Sequence, residues 1–325
     1  MKVLIRADGG AKVGWGHLGR CAALAEVLIE AGAEVSWACR ESSAVGALVG
    51  KEADLVLEGT PSMDALSEEE AHQVGMFASN ANWLIVDHYG AHPRYLEILK
   101  ERSKAQLMVL DDHQVRSIAD LRLAPMQKPA PKTLSGASYQ PVRGCFSKTR
   151  PSASRRGWLI ALGGADPNDD MLRVVRELAE SEQPLTLLAS DAIAGRQGLD
   201  TLITGASGRM KRVAWMAPEE LAESFTLHEA ALVSSSTLSW EAMATKTPIV
   251  ALQTADNQSG VAATLRDAAI PTFTKALDAA VALRQGRAAL PLKSAKLDGL
   301  GAWRVAEAMG FNPTWPNALE SEKRT

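Results

Sequence analysis

Short apolar runs, rich in valine, isoleucine and leucine, set the strongest limit on the fold of this chain. Stretches long enough for a helix separate them, a pattern that is typical of parallel strands covered on both faces. Eight such runs occur: Val3–Ile5, Val35–Ala38, Trp83–Val86, Leu107–Leu110, Trp158–Leu162, Leu185–Ala189, Ala230–Val233 and Ile249–Leu252. Between the first two, apolar residues recur at helical spacing from Leu18 to Ile29, and Gly32 follows as a C-cap. The sequence therefore predicts βαβ units and an α/β fold.

The alternation of strands and helices is interrupted once, between Arg122 and Gly157. This stretch contains several Lys and Arg residues and no acidic residue, and its prolines are Pro125, Pro129, Pro131, Pro141 and Pro151. Such a composition is typical of a domain junction, and the alternation restarts at Trp158. A chain of 325 residues is long enough for two domains. We therefore predict two doubly wound, Rossmann-like domains, residues 1–145 and 146–325, with a cleft between them.

Charge and cysteine content exclude several classes of partner. The 35 Lys and Arg residues nearly balance the 38 Asp and Glu residues, so no overall basic field is available for nucleic acid or anionic lipid. The three cysteines form no C-x-x-C pair, which suits a reducing cytoplasm. No apolar run approaches the roughly 20 residues of a membrane span, and the N-terminus lacks a signal-peptide core. We expect a cytoplasmic protein with a small-molecule ligand and neither a nucleic-acid nor a membrane partner.

Polar residues follow the apolar runs at the points where the predicted strands end. In the first domain they are Arg6, Asp8, Asp87, His88, Tyr89, Asp111 and Asp112. In the second domain they are Gly163, Gly164, Asp166, Ser234, Ser235, Ser236 and Gln253. Ligands of open parallel sheets bind outside the carboxyl ends of the strands, so these residues should meet at one rim in each domain. Loops are polar in any protein, and the repetition of the pattern is what favours a binding site.

The loop after the first run contains a literal G-x-G-x-x-G, from Gly14 to Gly19. A dinucleotide site needs its glycines in the turn directly after the strand, whereas Gly14 lies several residues beyond Ala7, so NAD(P) is not favoured. Gly14 and Gly16 instead let a ligand approach the backbone, and His17 stands at the start of the next helix. A helix N-terminus disfavours an imidazolium, which makes His17 a candidate general base. A histidine at this position can also serve only as a helix cap.

Two segments of the second domain suit a nucleotide. Gly163 and Gly164 expose backbone amides before a predicted helix, as phosphate sites do. Hydroxyls and amides also stand at a later helix start, on Ser235, Ser236 and Thr237. Glu241, about one turn further, can accept hydrogen bonds from two ribose hydroxyls while the amides hold a diphosphate. The serines can equally be ordinary N-caps. These parts indicate a nucleoside-diphosphate sugar.

Other chemistries lack their motifs. The sequence contains no H-E-x-x-H, no G-x-S-x-G and no G-x-x-x-x-G-K-[ST], which argues against zincins, α/β-hydrolases and P-loop enzymes. Asp111 and Asp112 are adjacent, and neighbours at a strand end point to opposite sides, so a shared Mg²⁺ is not expected. We predict neither a metal nor a cofactor. Within the basic junction, Arg143 is the residue that we expect to contact a ligand.

Taken in order along the chain, these motifs resemble those of a known family. They are Arg6-x-Asp8, Gly14-x-Gly16-His17-x-x-Arg20-Cys21-x-x-Leu24-Ala25, Val86-Asp87-His88-Tyr89, Asp111-Asp112, Gly163-Gly164-x-Asp166-Pro167, the segment from Ser234 to Glu241, and Asn257-Gln258. Together they resemble the UDP-2,4-diacetamido-2,4,6-trideoxy-β-L-altropyranose hydrolases of pseudaminic acid synthesis. That family is similar in fold to GT-B glycosyltransferases, such as the transferase that makes lipid II.

The resemblance implies hydrolysis of a UDP-sugar at the anomeric carbon, with inversion and without a metal, and His17 matches the catalytic base. With the strand-end positions added, the expected substrate-binding residues are Arg6, Asp8, Gly14, Gly16, Asp87, His88, Tyr89, Asp112 and Arg143. The expected nucleotide-binding residues are Gly163, Gly164, Asp166, Ser235, Ser236, Thr237, Glu241, Asn257 and Gln258. A GT-B glycosyltransferase would use the same nucleotide site with an acceptor hydroxyl in place of water. A nucleotide-sugar-binding protein would use it without turnover.

Overall fold

The computed structural model describes residues 1–10, 13–110, 118–164, 166, 168–292 and 297–316. They form two compact units. The first comprises Met1–Gly144 and the residues from Leu300 onward, and the second comprises Cys145–Gly299. Each unit has its own parallel sheet and its own core.

The first unit is built on a seven-stranded parallel sheet in the order β3-β2-β1-β4-β5-β6-β7. Its strands are β1 (Lys2–Ala7), β2 (Glu34–Cys39), β3 (Leu55–Val56), β4 (Trp83–Asp87), β5 (Gln106–Leu110), β6 (Leu121–Ala124) and β7 (Thr133–Ser135). Its helices are α1 (Gly16–Glu30), α2 (Ser42–Val49), α3 (Glu68–Phe77), α4 (Pro93–Ser103) and, last in the chain, α13 (Gly301–Ala308), with short 3-10 turns at Ala78–Asn80 and Ala137–Tyr139.

The second unit has a six-stranded parallel sheet in the order β10-β9-β8-β11-β12-β13. Its strands are β8 (Trp158–Ala161), β9 (Leu185–Leu188), β10 (Met210–Val213), β11 (Ala230–Ser234), β12 (Ile249–Leu252) and β13 (Thr272–Phe273). The helices begin with α5 (Gly144–Lys148) at the division between the units. They continue with α6 (Asp170–Leu178), α7 (Asp191–Gln197), α8 (Leu199–Gly205), α9 (Pro218–Leu227), α10 (Thr237–Ala244), α11 (Ser259–Asp267) and α12 (Ala276–Arg284), and a 3-10 turn occupies Asp256–Gln258.

Helices cover both faces of the first sheet. On one face, α1 and α13 pack over Ile5 and Trp37, and Trp303 of α13 is almost fully buried there. On the other face, α3 and α4 pack over Leu4 and Leu84. Burying such side chains stabilises a fold by about 1.5–3 kcal/mol each. The predicted fold class, two doubly wound parallel α/β domains, is confirmed.

Two parts of the chain differ from the predicted organisation. The stretch predicted to be only a junction supplies β6 and β7, because Leu121 and Leu123 pair in register with β5 and extend the sheet. The last helix belongs to the first unit, although residues 146–325 were predicted to form one domain. The physical reason is the apolar face of α13, which buries Trp303 and Val305 in the same core as α1.

The strand order reverses between β1 and β4 in the first sheet, and between β8 and β11 in the second. The carboxyl ends of strands at such a reversal are the usual ligand sites of open α/β sheets. The chain leaves these four strands at Asp8, His88, Leu162 and Ser235. The fold therefore places most of the sequence-predicted site residues at the two positions where a ligand is expected.

Candidate active site

His17 lies in the first turn of α1, buried beside the end of β4. Its Nδ1 is 2.6 Å from Oδ1 of Asp87, the last residue of that strand. The register pairs Ala7 with Asp87, so the Asp87 side chain points to the face of the sheet that α1 covers. The short loop before α1 is closed by two backbone hydrogen bonds between Gly10 and Gly14.

Asp87 is wholly buried and binds several groups at once. The guanidinium of Arg20 donates from Nε to Oδ2 and from Nη2 to Oδ1, each at 2.6 Å, and the Cys21 thiol lies 3.6 Å from Oδ2. Burial alone would raise the pKa of Asp87, but the charges of Arg20 and His17 outweigh it and hold that pKa well below its usual range. Asp87 was predicted to bind substrate, and in the structure both of its oxygens bind protein groups.

The hydrogen bond to Asp87 also determines which nitrogen of His17 carries the proton. An ionised carboxylate only accepts, so in the neutral ring the proton lies on Nδ1 and the lone pair lies on Nε2. The ring edge of Tyr89 supports the imidazole, with ring centroids 4.4 Å apart and an interplanar angle of 79°. Gly16 is half-buried and Gly14 is exposed at this end of the helix. The arrangement can therefore accept a proton at Nε2.

A second polar cluster lies on the opposite face of the same strands. Arg6 is fully buried and donates to Glu70 and to Asp8, each at 2.8 Å. Arg40 donates to Asp8 from its backbone and its side chain, and it also pairs with Glu70. Tyr95 donates to Glu70 at 3.0 Å. Arg6 and Asp8 were predicted to contact substrate, but the structure places them inside an ion-pair network.

His88 borders this network and is also buried. Its Nδ1 accepts a hydrogen bond from the backbone of Gly90 at 2.9 Å, and its Nε2 lies 3.6 Å from an Asp8 oxygen. Burial, together with the charge of Arg6, lowers the pKa of His88 to about 4, so the ring is neutral at physiological pH. Gly90 fits only as glycine, because a Cβ there would lie 1.7 Å from the backbone oxygen of Asp64.

The sequence reasoning missed several members of these clusters. Arg40 follows β2, so the strand-end rule that selected Asp8 also applies to it. Glu70 lies 64 residues beyond Arg6 in the sequence, on α3, and Tyr95 lies 89 residues beyond it, on α4. The sequence around Arg6 gives no signal for either contact. Arg20 lies within the glycine-histidine motif, yet its contact with Asp87 depends on the packing of α1 against β4.

Arg143 and Asp112 were also predicted to bind the substrate. Arg143 donates from Nε to Glu26 at 2.6 Å, and the backbone of Gly144 donates to the same carboxylate at 3.0 Å. Glu26 is nine residues beyond His17 on α1, about 13 Å along the helix axis. This anchoring differs from the predicted ligand contact. Asp112, with Asp111, lies outside the described residues.

In the second unit, the glycine loop after β8 leads into α6. Gly163 has a φ of +99°, a conformation that favours glycine, and Gly164 is exposed. The buried Asp166 accepts hydrogen bonds from the amides of Asp170 and Met171, both at 2.9 Å. Asp166 therefore caps two amides in the first turn of α6. Any phosphate at this loop would have to use the glycine amides.

The serine segment joins β11 to α10. Ser236 is the N-cap of α10 and accepts from the amide of Leu238, and its hydroxyl lies 2.8 Å from that of Ser234. The Ser235 hydroxyl is fully buried, without a hydrogen-bond partner among the described residues. Thr237 and Glu241, four residues apart, are half-buried on α10. Ser236, Thr237 and Glu241 are thus the partly accessible members, whereas Ser235 faces the interior.

The loop after β12 carries the last two predicted residues. Gln258 bonds to the backbone and hydroxyl of Thr254, and Asn257 is exposed. Asn168 donates to the backbone oxygen of Thr254 at 3.2 Å, which ties this loop to the one after β8. A cavity of about 500 Å³ opens beside Asn168, between the starts of α6 and α12, and none of the predicted nucleotide residues lines it.

Within the described residues, no group of three or more His, Cys, Asp or Glu side chains is arranged to hold a metal ion. In the same parts of the chain, no helix is both long and apolar enough to cross a bilayer.

No protein-family model and no curated protein matches the chain. Solved structures do resemble it. MurG of Acinetobacter baumannii shares 13% identity and a TM-score of 0.62, over 95% of this chain and 99% of that chain. MnaA of S. aureus, in a co-structure with UDP, shares 9% identity and a TM-score of 0.61, over 97% and 99%. A UDP-GlcNAc 2-epimerase of Methanocaldococcus jannaschii, in complex with UDP-GlcNAc and UDP, shares 10% identity and a TM-score of 0.60, over 95% and 99%. The chain therefore has the GT-B type of fold, with two Rossmann-like domains, and its structural neighbours include enzymes of UDP-sugars.

Proposed function

We propose that the chain is a UDP-sugar hydrolase that releases UDP and a free sugar, with inversion at the anomeric carbon and without a metal. The observation that carries the proposal is the His17–Asp87 pair at the strand reversal of the first unit, because it leaves Nε2 of His17 as a proton acceptor. The motif resemblance makes the substrate a UDP-linked diacetamido-trideoxy hexose on the route to pseudaminic acid. Cys21, Cys39 and Cys145 form no disulfide, which suits a reducing cytoplasm.

In the proposed reaction, His17 activates water. The water oxygen forms a bond to the anomeric carbon while its proton passes to Nε2 of His17. The bond between that carbon and the diphosphate oxygen breaks, and UDP leaves with the bonding electron pair. UDP is a good leaving group, so the chief requirement is to stabilise its developing charge. In the first unit we assign Tyr89 and Gly16 to the sugar, because Tyr89 contacts the His17 ring and Gly16 precedes His17 in α1.

We assign nucleotide binding to the second unit. The amides of Gly163 and Gly164 are suited to the diphosphate, as is the start of α10 at Ser236 and Thr237. Glu241 is suited to the ribose hydroxyls, because it lies half-buried one turn into that helix. Asn257 is also assigned to the nucleotide, since it is exposed in the loop after β12. These assignments use no metal and no cofactor.

A GT-B glycosyltransferase is the second candidate, favoured by the structural neighbours. They include MurG and a glycosyltransferase involved in avilamycin A biosynthesis, the latter with 13% identity and a TM-score of 0.54. An acceptor hydroxyl would then take the place of water, and His17 would deprotonate it. The residues of the first unit would keep the same chemical roles.

The test is to incubate the full chain with a panel of UDP-sugars, in water enriched in ¹⁸O and without an acceptor. We expect UDP release with one ¹⁸O on the free sugar and none on UDP, and proton NMR at early times should show the inverted anomer. The matched control is His17→Asn, which should bind UDP but release it about 10²–10⁴-fold more slowly than the wild type. Release that needs an added acceptor would identify a transferase. Tight binding with no release under either condition would identify a binding protein.

A further inference from the structure

The charge of Asp87 decides whether His17 can work as a base. A buried carboxylate beside an imidazole favours the protonated ring, and an imidazolium has no lone pair on Nε2 with which to take a proton. In a buried environment such an interaction is much stronger than in water. Without a nearby cation, Asp87 would therefore hold His17 in the correct orientation but would also favour its protonated form.

Arg20 supplies the opposing charge at close range. Its guanidinium binds both oxygens of Asp87, at 2.6 Å each, and its Nη2 lies 3.4 Å from Nδ1 of His17. A fixed cation at that distance disfavours a second positive charge on the ring. The two-pronged contact also holds the carboxylate in one orientation, so that Oδ1 stays directed at His17.

The other groups described beside His17 do not alter the balance between the negative charge of Asp87 and the positive charge of Arg20. On its own helix, the Cys21 thiol has its pKa raised well above the usual value by burial and by Asp87, so it stays neutral. From the turn after β4, Tyr89 presents an uncharged ring edge, and His88 is neutral above a pKa of about 4. Within the part of the chain that the structure describes, Arg20 is thus the cation that binds Asp87.

We propose that Arg20 is a positioning residue that cancels the charge of Asp87, so that the carboxylate fixes the tautomer of His17 without protonating it. The inference rests on the proposed role of His17 as a base. Arg20 acts through Asp87 and His17 and is assigned no contact with the substrate.

The experiment follows the protonation of His17 directly, by NMR of ¹⁵N-labelled histidine side chains across a pH series. The His17 signals are assigned by their loss in His17→Asn. In Arg20→Gln we expect His17 to become protonated about one pH unit higher than in the wild type, or more. Arg20→Lys, which keeps the charge, should lie closer to the wild type. Arg94→Gln, a change at an exposed arginine paired with Glu97, is the matched control and should leave the titration unchanged.

A folded Arg20→Gln variant that titrates like the wild type would overturn the proposal. The wild type provides a second test that does not depend on whether the variant folds. The neutral ring of its His17 should carry the proton on Nδ1, toward Asp87, and a neutral ring with the proton on Nε2 would also overturn the proposal.

These NMR results separate this inference from the proposed function. If the wild type releases no UDP from any UDP-sugar, the hydrolase proposal fails and the titration still reports on Arg20. If it does release UDP, the acid limb of kcat/KM in Arg20→Gln should move upward by the same interval as the NMR titration. At pH values below the acid limb, kcat/KM of the variant would then be about tenfold lower than that of the wild type. At higher pH it would return to the wild-type value. A loss of equal size at every pH would indicate structural damage and contradict the proposal.

Discussion

Acidification should destabilise the first unit through His88. The ring is held neutral because Gly90 donates a hydrogen bond to Nδ1, and because burial and the nearby charge of Arg6 oppose protonation. In the unfolded chain the same ring is free to bind a proton. The unfolded state therefore binds more protons than the folded state once the pH falls below the ordinary pKa of histidine.

The size of the effect follows from the two pKa values. The pKa of His88 falls from 6.5 to about 4 on folding, and each pH unit of difference corresponds to about 1.4 kcal/mol. The stabilisation is fully present above pH 6.5 and is lost as the pH falls toward 4. The free energy of unfolding should fall by about 2 kcal/mol between pH 7.5 and pH 5, and by about 3 kcal/mol when the ring is fully protonated.

The assay is native-state hydrogen exchange of the slowest amides in β1 and β4, corrected for the intrinsic exchange rate at each pH. This readout reports on the first unit alone, which matters in a chain with two units. Over the same pH interval, the free energy of unfolding of His88→Gln should fall by about 2 kcal/mol less than that of the wild type, because the titrating ring is gone. His72→Gln, at a histidine that accepts a hydrogen bond from Arg102 near the surface, should keep the wild-type slope. Identical slopes in the wild type and His88→Gln would refute the reasoning.

Four other predictions follow from the site. His17→Asn should lower kcat by about 10²–10⁴-fold with little change in UDP affinity by calorimetry, and a folded variant that keeps more than about a tenth of kcat would exclude His17 as the base. Glu241→Ala should weaken UDP binding by about 1–3 kcal/mol, because a charge-assisted hydrogen bond is lost, and an unchanged affinity would remove Glu241 from the site. UDP release should survive EDTA, since amides can hold the diphosphate, and activity lost in EDTA and restored by Mg²⁺ would revive Asp111–Asp112 as a metal site. Asp166→Ala should destabilise the second unit by about 1–2 kcal/mol in urea unfolding, because α6 loses its cap, and an unchanged midpoint would show that the cap contributes nothing.

The central strands of both sheets were predictable, and the edges were not. Strands buried on both faces are apolar over most of their length, so β1, β4, β8 and β11 stand out as continuous runs. Edge strands such as β3 and β13 have two residues each, too few for a pattern. Hydrophobic periodicity likewise indicates that a helix will be buried, but it does not indicate which domain will bury it. That is why α13 was placed with the wrong neighbours.

The candidate site was predictable as a set of strand ends, but not as two clusters. Arg6 and Asp87 both end central strands, yet they point to opposite faces of the sheet, and only the register that pairs Ala7 with Asp87 decides this. Side chains alternate along a strand, so a shift by one residue would exchange the two faces. Glu70 reaches Arg6 across 64 residues, and such a contact leaves no local trace in the sequence.

The return of α13 to the first unit also bears on the order in which the protein is made. The second unit, Cys145–Gly299, is one uninterrupted segment, so it can complete its core as soon as it leaves the ribosome. Residues 1–144 leave earlier but remain incomplete until Leu300 and α13 have been translated, because Trp303 fills the core beneath α1. Translation that stops after Gly299 would therefore yield an intact second unit and an unfinished first one. The helix that bears His17 is thus secured only after the whole of the second unit has been made.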